Sequence, residues 1–306
     1  MKNRIKKPRL TVEKTDASIT PLSATYRTIL MLDIISLSVI SIFVGFLGAL
    51  TGLGGASILI PILVLFGVPV KEAIACGMVA IIATSSGSAS SYVRERITNV
   101  RVAMYLEIFT ITGAVVGATI TTVINPTLLY FFFAAFLLTA FIKVRESIQN
   151  DYVPSETQDR LSRWLELQGS YYDDHAKKVI DYKVNNAIWG GFGMLVAGLA
   201  AGMLGIGAGA FKVTVQENIL KMPPKVSSTT SNFIIGVTAL AGVSVYLFSG
   251  LLNLTLMAPM AIGITIGALV GGRVLNKISS KALRILFFVI VVFLIIQMLY
   301  KGVISL

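Results

Sequence analysis

Long stretches of this chain carry almost no charge, and that decides the solvent in which it folds. From Ile29 to Phe66 the one charged side chain is Asp33, and from Leu283 to Tyr300 it is Arg284. A bilayer core takes about 20 apolar residues per helix, so both runs are long enough to span it. Of the 306 residues 55% are apolar and 13% charged, with a mean hydropathy of +0.81. A soluble domain carries charge at roughly twice that density. Buried helices of a large soluble enzyme would leave too little polar sequence to cover the outside. The expected class is an all-α, polytopic protein of the cell (plasma) membrane.

The formal charge of +11 invites a nucleic-acid partner, but its distribution argues against one. Lys2, Arg4, Lys6, Lys7 and Arg9 crowd the N-terminal tail, and most other Lys and Arg stand at the ends of apolar runs or in one polar insert. That is the pattern of membrane topology signals and anionic-lipid contacts. The single cysteine, Cys76, excludes an internal disulfide and a Cys-cluster metal site. No cleavable signal peptide is expected, because a polar tail precedes a first apolar run that is too long for one.

Glycine and proline punctuation divides the chain. A basic tail (1–28) leads into a first transmembrane set (29–142) read as Ile29–Leu50, a short Ala56–Phe66, Ala73–Val93, Val102–Ile124 and Leu128–Ile142. A polar insert (143–184) follows as a small soluble appendage, with a helical turn at Leu161, Trp164 and Leu165 and a hairpin around Asp173–Lys178. His175, the one histidine, lies in that hairpin loop as a solvated side chain. The second set (185–306) reads Ala187–Leu204, a short Gly209–Leu220, Val226–Phe248, Leu254–Val274 and Ala282–Tyr300.

The two sets superimpose. At an offset of 153, Gly45, Gly52 and Gly54 meet Gly198, Gly205 and Gly207; at 154, Lys71, Asn99, Gly113 and Gly117 meet Lys225, Asn253, Gly267 and Gly271. An ordered series of this kind is an internal repeat, typical of secondary transporters. With five segments each, the repeats should be inverted. Flanking charge agrees: Arg94, Arg96 and Arg101 follow the third segment, whereas the loop Gly250–Asn253 has no charge. Conversely, Thr121–Pro126 is uncharged while its counterpart carries Arg273, Lys277 and Lys281. The positive-inside rule then puts Thr98 and the insert in the cytoplasm and Gly250 outside. The basic N-terminal cluster opposes this assignment, from the edge of the rule's reach.

The candidate chemistry sits at the breaks. Gly52, Gly54 and Gly55 in the first half, and Gly205, Gly207 and Gly209 in the second, interrupt apolar segments just before a helix too short to span. Glycine allows positive φ, and exposed amides at bilayer depth are tolerable only inside protein or facing a polar cavity. Helix N-termini aimed at the midplane favour an anion. Close packing through small residues is the competing reading, and is the one expected for Gly113–Gly117 and Gly267–Gly271.

The short Gly209–Leu220 segment also carries Lys212, Gln216, Glu217 and Asn218. A mid-membrane lysine costs roughly 3 kcal/mol on the insertion scale, so this segment must be enclosed by protein. Lys212 is either half of an internal pair, with Glu217 or Glu107, or the charge that attracts an anion. Glu107 could serve as proton carrier, ion-pair partner or interfacial residue. Thr229, Thr230, Ser231 and Asn232 offer hydroxyl and amide groups at a helix start, where capping is the simplest role. Cys76 is read as a small packing residue.

With the two glycine breaks, Pro61 shortly after the first, and Pro223-Pro224-Lys225 leading into Thr230-Ser231-Asn232, the sequence resembles the sulfite exporter TauE/SafE family from about Leu37 to Gly302. It departs from a run of three glycines at Ala56 and Ala208, and Thr214 stands where a second proline would match Pro61. The resemblance implies a transporter, by its family an exporter, of sulfite, sulfoacetate or another organosulfonate. The implied partners are a small anionic substrate and the lipid bilayer; a homo-oligomer is compatible, and no cofactor is called for. There is no Walker A motif, no H-E-x-x-H and no G-x-S-x-G, so neither an ATP site nor a hydrolase is expected. The alternative is a membrane subunit of a larger transport or signalling complex, energised or regulated through the insert.

Overall fold

The computed structural model describes residues 34–51, 55–94, 97–146, 157–173, 177–252, 254–275, 292 and 295–304. The first half comprises α1 (Ile34–Thr51), α2 (Ala56–Leu65), α3 (Val70–Arg94), α4 (Val100–Val123) and α5 (Pro126–Glu146). The insert supplies α6 (Arg160–Trp164) and the strands β1 (Gln168–Asp173) and β2 (Lys178–Lys183). The second half comprises α7 (Ala187–Leu204), α8 (Gly209–Asn218), α9 (Pro224–Phe248), α10 (Leu254–Leu275) and α11 (Ile295–Ile304). The chain is an all-α membrane protein apart from that hairpin. Among the described residues, 70–87, 100–123, 187–204 and 224–248 are each long and apolar enough to cross a bilayer.

Each expected segment up to Leu254–Val274 has its helix, and the short ones end where glycine and proline put them; most of the expected Ala282–Tyr300 lies outside the described residues. The main shift is at α5, which runs through Glu146, so the insert begins later than residue 143. Asn99 starts α4 by accepting the Val102 amide at 3.0 Å, and Lys71 finishes it by donating to the Thr122 carbonyl at 2.8 Å. These are the side chains that favour the positive and negative ends of a helix dipole.

The halves are held together by exchange. α1 packs along α10 and α7 along α4, so the first helix of each half lies on the fourth helix of the other. Both seams are backbone on backbone. A Cβ built on Gly113 would lie 2.2 Å from the Leu195 carbonyl oxygen, and one on Gly267 2.0 Å from that of Ile42. Gly198 faces Thr110 and Gly45 faces Ile264 in the same way, both at 2.3 Å. Every residue in one seam is the repeat equivalent of its counterpart in the other. The small-residue packing expected of the paired glycines is therefore present, and between helices of different halves. Without a hydrophobic drive between helices in lipid, such close approach supplies the dispersion that holds them.

Between these two pairs run α3 and α9, in contact with each other, with α2 packed on α3 and α8 on α9. Gly236 gives room to Ser85, which donates to the Asn232 carbonyl at 2.6 Å across this contact.

The insert is not a detached appendage. Leu167, Tyr171, Tyr182 and Val184 are buried in one cluster with Val102, Leu106, Val215 and Leu220. Asn185 donates its amide to the Leu220 carbonyl at 3.1 Å, and the Asn99 side chain donates to the Tyr182 hydroxyl at 2.8 Å. The hairpin thus seals one end of α4 and α8. Asp159 caps α6, accepting from the Ser162 amide at 3.2 Å and from the Ser162 hydroxyl. Partial burial works to raise the Asp159 carboxyl, but these donors and the Ala187 amide outweigh it and hold the group below the usual range.

Candidate functional site

The second break is built around three left-handed residues. Gly205 ends α7 at φ +64, and Gly207 follows at φ +71. Ala208 sits at φ 51 immediately before α8. Two of the three positions carry glycine, which adopts this region freely; an alanine there costs about 1 kcal/mol. The break is enclosed: a Cβ on Gly205 would lie 2.5 Å from the Ile74 carbonyl oxygen, and one on Gly207 2.9 Å from Ile235. In the first half Gly55 precedes α2 with a helical φ of −53, its carbonyl accepting the Leu59 amide at 2.9 Å.

From the second break α8 runs inward with a polar face. Lys212 and Gln216, one turn apart, are both 0% exposed. The Lys212 ammonium donates to the Thr238 hydroxyl of α9 at 2.9 Å. That oxygen lies 3.1 Å from Glu107 Oε1 of α4 and 2.7 Å from the Ile234 carbonyl oxygen. Lys212 and Glu107 make no direct ion pair; the Thr238 hydroxyl bridges them. Three polar atoms here have no partner: Glu107 Oε2 and both side-chain atoms of Gln216. Each unmade buried hydrogen bond costs roughly 1–3 kcal/mol, so native proteins keep them few, and at a site where something else binds.

Fully enclosed ammonium, spare amide donor and a helix start from the same short helix form a set that a small anion can complete. A carboxylate beside them supplies the opposite charge. The same set, just after a break inside one half, is the arrangement of a membrane transporter. Residues 37–298 match the family model described as Sulfite exporter TauE/SafE. The chain belongs to this family.

The TauE/SafE chain is 22% identical over 282 residues to "Probable membrane transporter protein YunE" of Bacillus subtilis (strain 168), covering 90% of this chain and 100% of that relative. It is 25% identical over 257 residues to "Probable membrane transporter protein YdhB" of the same organism, covering 83% and 94%. No solved structure matches it. The TauE/SafE chain is a membrane transporter.

The structure brings Lys212 and Glu107 of this TauE/SafE protein together and sets Glu217 apart, half-buried and not paired with Lys212. Gly52 and Gly54 lie outside the described residues, as does His175. Gly55 and Gly209 adopt helical conformations, so positive φ belongs to Gly205, Gly207 and Ala208. Thr230, Ser231 and Asn232 are not caps. α9 already begins at Pro224, the rigid φ of proline starting the helix a turn earlier. Thr230 instead accepts the Asn99 amide at 3.1 Å, and Ser231 donates to the Gly209 carbonyl at 3.4 Å, tying α9 to the start of α4 and of α8. Thr238 and Gln216 were not singled out as site residues. The signal for Gln216 was its spacing of four from Lys212; that for Thr238 was its spacing of seven from Ser231 on the same helix face.

Proposed function

We propose that this transporter is a secondary carrier of a small anion such as sulfite, sulfoacetate or another organosulfonate, acting as an exporter in a multi-pass fold of the plasma membrane. The observation that carries the reading is the Lys212–Gln216 face of α8: a wholly buried ammonium without a directly paired carboxylate, next to a wholly buried amide without a partner. A desolvated ammonium with free donors beside it binds an oxyanion far more tightly than it would in water. We take Lys212 and Gln216 as anion contacts. The Gly205–Gly209 turn is the bend that carries them to mid-membrane, and Gly52, Gly54 and Gly55 are assigned the corresponding substrate contacts of the first half. Thr230, Ser231 and Asn232 fix α9 against α4, α8 and α3.

The reciprocal seams support an inverted repeat, since exchange of first and fourth helices is what a two-fold relation between halves requires. In that arrangement one half can rock against the other around a fixed site. The test is flux of sulfite, sulfoacetate, sulfate and small carboxylates by the purified chain in liposomes. Flux of an organosulfur anion by this chain alone is expected. Flux only in the presence of a partner protein would favour a subunit of a larger complex, docked through the insert, whose Trp164 is 78% and Val179 61% exposed. Chemical turnover of any of these compounds would make the chain an enzyme and end the proposal.

A further inference from the structure

We propose that Glu107 is a proton-carrying site joined to the anion site through Thr238, so that the chain moves a proton together with its anion. This rests on the reading of Lys212 and Gln216 as anion contacts and adds the coupling ion to it.

The argument is one of hydrogen atoms. The Thr238 hydroxyl accepts from Lys212 and has a single proton to give, yet two acceptors lie within reach, Ile234 O at 2.7 Å and Glu107 Oε1 at 3.1 Å. It can serve one at a time. A hydroxyl donating to an ionised carboxylate is expected at about 2.5–2.7 Å, and a neutral O–H···O bond at about 2.7–2.8 Å. Ile234 is thus the nearer acceptor, and Glu107 Oε1 is left with the longer, weaker bond. Glu107 is 6% exposed, and its other oxygen, Oε2, has no hydrogen-bond donor. A buried carboxylate with so little hydrogen bonding is strongly disfavoured, and a proton on Oε2 removes the difficulty.

Two arrangements follow. With Glu107 ionised, Lys212 donates to Thr238 and Thr238 to Glu107, and the two charges balance through the hydroxyl. With Glu107 protonated, Thr238 donates to Ile234 and the Lys212 charge is left without a balancing carboxylate, so that it attracts an anion. An anion at Lys212 also cancels the positive charge that steadies an ionised Glu107. Anion and proton therefore each favour the other's binding, by the same factor in both directions. Among the described residues no other charge acts on Glu107. α7 has no titratable side chain. Tyr246 of α9 donates to the Gly202 carbonyl, Lys71 of α3 reaches Thr122, and Arg101 and Tyr105 of α4 turn to Glu166 and to the Ala187 carbonyl. Of Lys212 and Glu217 on α8, and Lys225 on α9, only Lys212 acts on Glu107. The proton is taken from water on one side as an O–H bond at Oε2 and returned to water on the other; no other bond changes. The anion then travels in the direction its own gradient and the proton gradient jointly set.

The experiment uses the full chain in liposomes with labelled sulfoacetate, whose acid groups stay ionised near neutrality, a lumenal pH dye, and the membrane potential clamped at zero. One proton per anion gives about tenfold accumulation for a one-unit pH difference. Wild type should accumulate sulfoacetate and acidify the lumen as it does so; alkalinisation would overturn the coupling. Glu107→Gln, which imitates the protonated acid, should exchange sulfoacetate across the membrane yet show no accumulation, and its exchange certifies that it is folded. Thr238→Val should carry the anion with few or no protons. If wild type carries sulfoacetate without proton movement, or Glu107→Gln accumulates it as wild type does, the coupling is overturned and the anion site stands. If wild type carries neither sulfoacetate nor sulfite, the anion reading falls and the coupling with it.

Discussion

The seam between α4 and α7 gives a substitution whose cost can be read from distances. Gly113→Ala adds one carbon that would sit 2.2 Å from the Leu195 carbonyl oxygen and 2.7 Å from the Leu199 nitrogen, against ordinary contact at 3.4–4 Å. Both neighbours are backbone, so no rotamer change relieves the clash, and the helices must part by roughly an ångström. Gly117, Gly198 and Gly202 lie at 2.1–2.3 Å in the same seam, so parting at Gly113 loosens all of them. Overpacking costs about 1–3 kcal/mol, and this geometry belongs at the upper end. The mirror substitution, Gly267→Ala, meets Ile42 at 2.0 Å and should cost about as much. Gly87→Ala is the control. Its Cβ would be 3.6 Å from the Leu269 side chain, so the change should be neutral or stabilise by up to about 1 kcal/mol through helix propensity. Thermal unfolding in detergent, followed by fluorescence of Trp164 and Trp189, measures all three. Unchanged melting for Gly113→Ala and Gly267→Ala would refute the seam as the contact that joins the halves.

Three other outcomes are expected. Ala208→Gly should raise stability by about 1 kcal/mol, because it relieves an alanine at φ 51; Gly207→Val, at φ +71 against Ile235, should abolish transport. In a Cys76→Ala background, thiol reagents should label Arg101→Cys and Ser249→Cys from opposite sides of the membrane; labelling from one side contradicts inverted repeats, and both positions are used because Thr98 is buried. The Asp159 carboxyl is lower in the folded chain than unfolded. Its contribution should therefore be present above about pH 4 and lost as pH falls through the folded value, and Asp159→Asn should remove that acid-dependent part of the melting curve.

Much of this fold was legible because lipid leaves few options. The segment ends follow Gly205, Gly209 and Pro224, residues that dictate backbone geometry locally, and the repeat offset foretold which glycines would be equivalent. It did not foretell that Gly113 would meet the other half, because pairing between α4 and α7 is a tertiary choice. The site was half legible. Lys212 and Glu107 stand out as charges in apolar sequence, whereas Thr238 is an ordinary helix residue until it is placed beside Glu107, 131 positions away in the chain. The insert was misjudged for a related reason: Leu167, Tyr182 and Val184 are too few and too scattered to announce that they seal a helix end. The substitution Ala208 marked a departure from glycine in sequence, but only the backbone shows it to be strained.

The most direct test of the account is flux and stability in the same three proteins: wild type, Lys212→Met, and Lys212→Met with Glu107→Gln. Lys212 and Glu107 are bridged by a hydroxyl and not directly paired, and a proton on Glu107 removes the charge that Lys212→Met would strand, so the single variant should melt close to the double. If Lys212 holds the anion, both should have lost liposomal transport of sulfoacetate and sulfite that wild type shows. Loss of stability in Lys212→Met that the double variant restores would contradict this, and would make Lys212 a structural counter-charge to Glu107.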